Sequence, residues 1–199
     1  MVVNVQANTI GYTTQILILG SWFAFGLIFF LRKRPPKLQE VKRASVARWG
    51  ILLQAMGFGL VWSFRRRQWW PVPSNVAGEI ILSTLAVVLA WGSNWWCLWS
   101  VQTLGKQWTV QARIVRGHEL ITGGPYGIVR NPIYLGMFGL LIATGLALST
   151  WPALLSAVVV FLTGNQIRIR AEEALLRESF GSQFAEYAAR VPPFLPRVF

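Results

Sequence analysis

Charged residues with the potential to do chemistry stand at the end of the last long apolar stretch of this sequence. Arg168 and Glu172 are four residues apart, so on a helix they would share one face. Glu173 and Arg177 have the same spacing, and such pairs on a solvated helix end contribute about 0.2–0.5 kcal/mol each. Asn165 and Arg168, however, follow the apolar stretch directly, and ionisable groups at that depth usually face a cavity or a site. We therefore expect a functional site here.

Two further polar segments precede these residues in the chain. Residues 111–126 are glycine-rich and connect two apolar stretches, so they form either a simple turn or a loop whose backbone approaches a ligand. In the next segment, Asn131 is placed to cap a helix that begins with Pro132. Capping does not explain Arg130 and Tyr134, which put a fixed charge and a phenol at the boundary of an apolar stretch.

The elements that must position these residues are transmembrane helices. Of the 199 residues 54% are hydrophobic and 13% are charged, whereas a soluble domain carries about 25% charged residues. A spanning helix needs about 20 apolar residues. Stretches with at most one charged residue cover residues 12–31, 46–64, 76–101 and 132–167. Because the last stretch is long enough for two helices around a turn at residues 149–152, we predict an all-α, polytopic integral membrane protein with about five transmembrane helices and a C-terminal helical hairpin.

The distribution of charge predicts the orientation. The net charge is +12, but Lys and Arg flank the apolar stretches, so we expect contacts with anionic membrane lipids and no nucleic acid partner. The strongest cluster, residues 32–43, assigns its side to the cytoplasm and the N-terminus to the outside. Residues 65–67, three arginines, fall on the opposite side, and the topology of their loop stays open. The first stretch lacks a basic segment before it and is predicted to remain as a membrane anchor.

The sequence contains one cysteine, Cys97, one histidine, His118, and no aspartate. These counts exclude an intrachain disulfide, a Ser-His-Asp type triad and a metal site built from several histidines, so no metal is predicted. We divide the chain into residues 1–104, with three transmembrane helices and basic connectors, and residues 105–199, with a loop, the hairpin and a C-terminal cytoplasmic tail. Both parts are expected to form a single membrane domain.

The polar segments, in this order and spacing, resemble the isoprenylcysteine carboxyl methyltransferases and the related phospholipid N-methyltransferases. The resemblance covers roughly the C-terminal half. It is carried by residues 118–121, 124–126, 130–136, Arg168, Glu172, Glu173, Phe180, Gly181, Tyr187 and 191–196. It implies a membrane enzyme that uses S-adenosylmethionine at a cytoplasmic cofactor-binding region. The acceptor would be a lipidic or prenylated small molecule, first of all a carboxylate, and small archaeal and bacterial members imply a prokaryotic cytoplasmic membrane.

The resemblance also implies roles for individual residues. Arg168 matches the residue that meets the acceptor group of the substrate. Glu173 is the nearest base for an acceptor that must lose a proton, as an amine would, so Arg168 and Glu173 are the candidate catalytic residues. The residues that match cofactor contacts are Gln111, His118, Glu119, Leu120, Ile121, Tyr126, Asn131, Pro132, Ile133, Tyr134 and Glu172.

Three alternatives stay open at this stage. A phospholipid amine could replace the carboxylate as the acceptor. A sterol-type reductase that uses NADPH shares a similar Arg-His-Pro-Asn-Tyr segment, although the Gly-Pro-Tyr spacing and the Arg168/Glu172 segment favour methyl transfer. A non-catalytic scaffold is the third alternative, because Asn131 stands where the family usually has histidine. Asparagine keeps a donor and an acceptor but does not titrate.

Overall fold

The computed structural model describes residues 2–31, 40–43, 46–64, 76–105, 113–115 and 119–195, which contain five α-helices and one short 3-10 helix, Gly124–Gly127. Within these residues the helices are α1 (Val2–Phe30), α2 (Ala47–Ser63), α3 (Val76–Leu104), α4 (Pro132–Leu148) and α5 (Trp151–Arg190). Each helix falls on one of the apolar stretches of the sequence, and the predicted all-α fold is confirmed.

The helices differ in their capacity to cross a bilayer. Ile10–Phe30, Val76–Leu104 and Trp151–Arg190 are long and apolar enough to span a membrane, judged by length and composition. The helices α2 and α4 have 17 residues each, at the lower limit for a span. Large apolar side chains on the outer faces of the long helices are exposed, including Ile16, Phe23, Leu85, Val88, Leu155 and Val159. This is the surface that a lipid environment covers, and the architecture is that of a polytopic membrane protein.

The hairpin turn lies where the sequence predicts it. Helix α4 ends at Leu148, and α5 begins at Trp151 with Thr150 at its N-cap position. The backbone N–H of Thr150 donates to the carbonyl of Phe64 at 3.2 Å, and the Ser149 hydroxyl donates to the same carbonyl at 3.3 Å. The C-terminal end of α2 is therefore held against the turn between α4 and α5.

A small β-ribbon was not predicted from the sequence. The strand β1 (Glu40–Arg43) pairs antiparallel with β2 (Arg113–Val115), and the register is interrupted between Glu40 and Lys42. Segments this short carry no alternating pattern from which a strand could be recognised. The pairing places the connector after α1 and the connector after α3 at the same end of the bundle, in agreement with the charge pattern.

Glycines bring α2 and α5 into backbone contact. A Cβ atom added to Gly50 would lie 2.5 Å from the carbonyl oxygen of Gly164 and would also overlap Cγ of Arg168. A Cβ atom added to Gly57 would lie 3.0 Å from Cβ of Phe161. Small residues permit such close approach between membrane helices, where packing is a main source of association. The stem of Arg168 is thus seated directly against α2.

Gly136 and Gly139 of α4 pack against α3. A Cβ atom on Gly136 would overlap the sulfur of Cys97, and one on Gly139 would overlap the hydroxyl of Ser93. The indole N–H of Trp96 in α3 donates to the carbonyl of Pro132 at 2.9 Å. These contacts fix the first turn of α4 relative to α3.

The predicted C-terminal tail continues α5 and then folds back. Gly181 has φ 51° and ψ −120°, a conformation that is accessible to glycine, and it bends α5 at this point. Beyond the bend, Phe184, Tyr187 and Val191 form a buried cluster against which Leu120 packs. The part of the chain beyond the bend therefore packs against the loop that precedes α4.

Candidate functional site

Arg168, Glu172 and Tyr134 form the centre of the candidate site. Arg168 is buried, with 7% of its surface exposed, and its Nη2 lies 3.1 Å from Oε1 of Glu172. The hydroxyl of Tyr134 in α4 donates to the same carboxylate oxygen. The guanidinium carbon of Arg168 lies 4.8 Å from the centre of the Tyr134 ring. The predicted pair one helical turn apart is thus present, and it is packed against a second helix.

Helix α2 contributes one side chain to this centre, Gln54, which makes two hydrogen bonds with residues of α5. Oε1 of Gln54 accepts a hydrogen bond from Nη1 of Arg168 at 3.3 Å, and Nε2 of Gln54 donates to Oδ1 of Asn165 at 2.9 Å. The sequence analysis did not single out Gln54. A signal was present, since Gln54 is a lone amide in an apolar stretch and lies on one helical face with Gly50 and Gly57.

Arg130 and Glu173 form a second, bidentate ion pair. Nε of Arg130 lies 2.8 Å from Oε1 of Glu173, and Nη2 lies 2.9 Å from Oε2. Their side chains are 11% and 15% exposed. The sequence instead suggested Arg177 as the partner of Glu173, but the guanidinium of Arg177 lies over the ring of Phe184, at 5.4 Å. The planar fork of Arg130 meets both carboxylate oxygens of Glu173, the stronger, bidentate form of this interaction.

Arg130 also holds the last turn of α5 and the residues that follow it. Its Nη1 donates to the carbonyl of Ala188 at 2.9 Å and to the carbonyl of Val191, and its backbone N–H donates to the carbonyl of Pro192 at 2.8 Å. These carbonyls follow the bend in α5 and have few helical partners of their own. One arginine thus joins the start of α4, the middle of α5 and the segment after α5.

Asn131 occupies the predicted N-cap position of α4, but its side chain makes no capping bond. Its Nδ2 instead donates to the carbonyl of Pro193 at 2.8 Å and lies 3.4 Å from Oε1 of Glu173. The expected capping interaction was therefore wrong, because long-range acceptors from α5 and the segment after it take the amide. Pro132 does stand at the first helical position, as expected.

The loop before α4 is only partly brought to the centre. Tyr126 is buried, and its carbonyl oxygen accepts from the hydroxyl of Tyr187 at 2.7 Å. Leu120 packs on the buried cluster beyond the bend in α5, whereas Glu119 is exposed. Ile121 is half-buried in the same segment.

Two predicted cofactor contacts, Gln111 and His118, lie outside the described residues. The carbonyl of Ile133 faces α3, where it accepts a weak bond from the thiol of Cys97 at 3.6 Å. Pro132 makes a similar backbone contact to α3. For Pro132, Ile133 and the residues before α4, a role in cofactor binding stays a prediction.

The carboxylate of Glu172 has capacity for a ligand. Oε1 accepts from both Arg168 and Tyr134, while Oε2 accepts no hydrogen bond from the described residues. The side chain of Glu172 is 25% exposed, so part of it is reachable from outside the protein. An anionic oxygen next to the buried side chain of Tyr134 can receive a cationic group.

Comparisons with known proteins show which sequences this chain is similar to. The family model described as phospholipid methyltransferase matches residues 81–183, about half of the chain, and contains Arg130, Tyr134, Arg168 and Glu172. The chain is 29% identical over 139 residues to the Arabidopsis thaliana protein-S-isoprenylcysteine O-methyltransferase B, covering 67% of this chain and 63% of the relative.

Two other relatives match shorter parts of the chain. The chain is 32% identical over 83 residues to the Schizosaccharomyces pombe protein-S-isoprenylcysteine O-methyltransferase, covering 42% of this chain and 35% of the relative. It is 35% identical over 105 residues to the cobalt-zinc-cadmium resistance protein CzcN of Cupriavidus metallidurans, covering 50% and 46%. The chain spans less than two thirds of the length of these curated relatives.

Proposed function

This chain belongs to the phospholipid methyltransferase family, and from that premise we propose that it is a membrane methyltransferase that uses S-adenosylmethionine to methylate a lipidic acceptor. The observation that carries the proposal is the buried cluster of Arg168, Glu172 and Tyr134, which lies within the matched residues. The names of the isoprenylcysteine O-methyltransferases among its relatives support a carboxylate as the acceptor.

The residues of the site fit the charges of the cofactor. When bound, S-adenosylmethionine supplies an electrophilic methyl group on a sulfonium and carries a charged amino acid end. Oε2 of Glu172 is open to an ammonium, and the rings of Tyr126 and Tyr134 suit a sulfonium. In this proposal the other cofactor contacts come from the predicted set, including Gln111 and His118.

Arg168 favours an anionic acceptor. Its guanidinium is fixed by hydrogen bonds and by the ring of Tyr134, so it can orient a carboxylate through charge-assisted bonds. A carboxylate is already a nucleophile and needs no general base. The main contribution of the protein is then to hold two reactants in line and to exclude water.

The ion pair of Glu173 affects the choice between a carboxylate and an amine as the acceptor. An amine must lose a proton before methylation, and Glu173 was the predicted base. Both of its oxygens accept from Arg130, so a role as a base requires the loss of a strong bidentate bond. This arrangement favours the carboxylate, while the family description keeps a phospholipid amine as the second candidate.

The expected location follows from the same proposal. The cofactor enters from the cytoplasm of a prokaryotic cell, the acceptor enters between helices from the bilayer, and the N-terminus lies outside. The described residues contain no group of three His, Cys, Asp or Glu side chains able to hold a metal ion.

Methyl-labelled S-adenosylmethionine tests the proposal in membranes that contain the protein. We expect label to be transferred as a methyl ester, which base hydrolyses to volatile methanol, and to be absent in membranes that contain Arg168→Ala. Base-stable label on amine lipids would favour the second candidate. Equal labelling with the unaltered protein and with Arg168→Ala would contradict the role of Arg168.

A further inference from the structure

We propose that Gln54 and Asn165 are positioning residues that hold the Arg168 guanidinium in the orientation needed to meet the methyl acceptor; this inference rests on the proposed function. Both amide side chains are 2% exposed and lie between α2 and α5. Neither is among the individual residues that carry the family resemblance, and Gln54 lies outside the residues matched by the family model.

The chemistry of arginine fixes the direction of this hydrogen-bond chain. A guanidinium donates and never accepts, so Gln54 must present its oxygen to Arg168. The amide nitrogen of Gln54 then faces Asn165, which must present its own oxygen. The polarity of both amides thus follows from the charge of Arg168, although oxygen and nitrogen are otherwise hard to tell apart.

The chain ends in a buried donor. Nδ2 of Asn165 has no hydrogen-bond partner among the described residues. Burial of an unpaired donor is unfavourable, and two apolar side chains at these positions would fill the interface without that cost. The stability of the α2–α5 contact therefore does not explain why amides occupy these two positions. The need to hold the buried cation of Arg168 does explain it.

One turn of α2, from Gly50 to Gln54, lies along the side chain of Arg168. Gly50 leaves room for the stem of Arg168, since any Cβ there would overlap its Cγ. Gln54, four residues later, binds the head of the same side chain. Glu172 binds the other edge of the guanidinium and Tyr134 covers its face. Loss of Gln54 would release one edge of the cation while the contact to Glu172 stays.

The closing experiment uses Gln54→Met, which keeps the length of the side chain and removes its hydrogen bonds. With an S-farnesylated N-acetylcysteine as the acceptor probe, we expect the acceptor KM to rise roughly tenfold, as for loss of one hydrogen bond to a charged group. The Kd for S-adenosylhomocysteine should stay within about twofold, because Glu172 is unchanged. A merely structural role would not separate these two quantities.

Two further variants control the experiment. Asn94→Leu removes another buried amide, which donates to the carbonyl of Ser21 at 2.7 Å between α1 and α3, and should leave the acceptor KM unchanged. Gln54→Glu keeps an oxygen for Arg168 but adds a charge that competes with the acceptor carboxylate. It should raise the acceptor KM at least as much as Gln54→Met, and it decides the question if Gln54→Met does not fold.

The outcomes separate this inference from the proposed function. An unaltered protein that neither binds S-adenosylhomocysteine nor methylates the probe would overturn both. An unaltered protein that does both, with an unchanged acceptor KM in the Gln54 variants, would overturn the positioning role alone. A rise in acceptor KM that Asn94→Leu reproduces would also overturn it.

Discussion

The variant Glu172→Gln is expected to bind S-adenosylhomocysteine roughly 10- to 100-fold more weakly than the unaltered protein, since a hydrogen bond to a charged group contributes about 1.5–3 kcal/mol. The substitution removes the negative charge that faces the ammonium of the ligand. It also leaves the buried guanidinium of Arg168 without its counter-charge and alters the acceptor for Tyr134. Isothermal titration of the detergent-solubilised protein measures the change in Kd.

Glu186→Gln is the matched control for this prediction. Glu186 lies on the same helix beyond the bend at Gly181 and its side chain is exposed, so the same chemical change there should leave the Kd within about twofold. If Glu172→Gln and Glu186→Gln bound the ligand equally well, the carboxylate of Glu172 would have no part in cofactor binding.

The variant Arg130→Met is expected to lower the free energy of unfolding by about 3–5 kcal/mol, the usual cost of breaking a buried ion pair by removing one partner. Glu173 would lose its bidentate cationic partner in a largely buried position. The carbonyls of Ala188, Val191 and Pro192 lie in the segment that Arg130 holds, so this segment should detach first. Thermal unfolding and limited proteolysis after Gly181 measure the two effects.

A second substitution distinguishes the ion pair from simple loss of packing. In Arg130→Met/Glu173→Met both charges are absent, and the protein should recover part of the lost stability because no unpaired charge stays buried. Arg170→Met, at an exposed position on α5, should change stability by less than about 0.5 kcal/mol. Equal losses in the single and double variants would show that the pairing of Arg130 with Glu173 is not the source of the effect.

Local sequence patterns predicted the helices and part of the site. Each charge-poor stretch became helical, and Ser149 and Thr150, within the turn predicted at residues 149–152, separate α4 from α5. The spacing of Arg168 and Glu172 also gave a real contact, because residues one turn apart are neighbours on any helix. These features depend on residues that are close in the chain.

The contacts that the sequence did not reveal join distant segments. The i,i+4 rule assigned Arg177 to Glu173, whereas the actual partner, Arg130, is 43 residues away. Gln54 reaches Arg168 across 114 residues, and its importance depends on the close approach of α2 and α5 at Gly50. The side-chain amide of Asn131 was predicted to cap α4, but it donates instead to the carbonyl of Pro193, in the segment after α5. Only tertiary packing decides which of several local options a polar side chain takes.

The choice of cofactor tests the central claim most directly. S-adenosylhomocysteine at about 100 times its Kd should stabilise the folded protein by roughly 2.7 kcal/mol, and so raise the melting temperature of the detergent-solubilised protein by several degrees. NADPH under the same conditions should leave the melting temperature unchanged. A rise with NADPH and none with S-adenosylhomocysteine would contradict the methyltransferase assignment and favour a reductase on the same membrane scaffold.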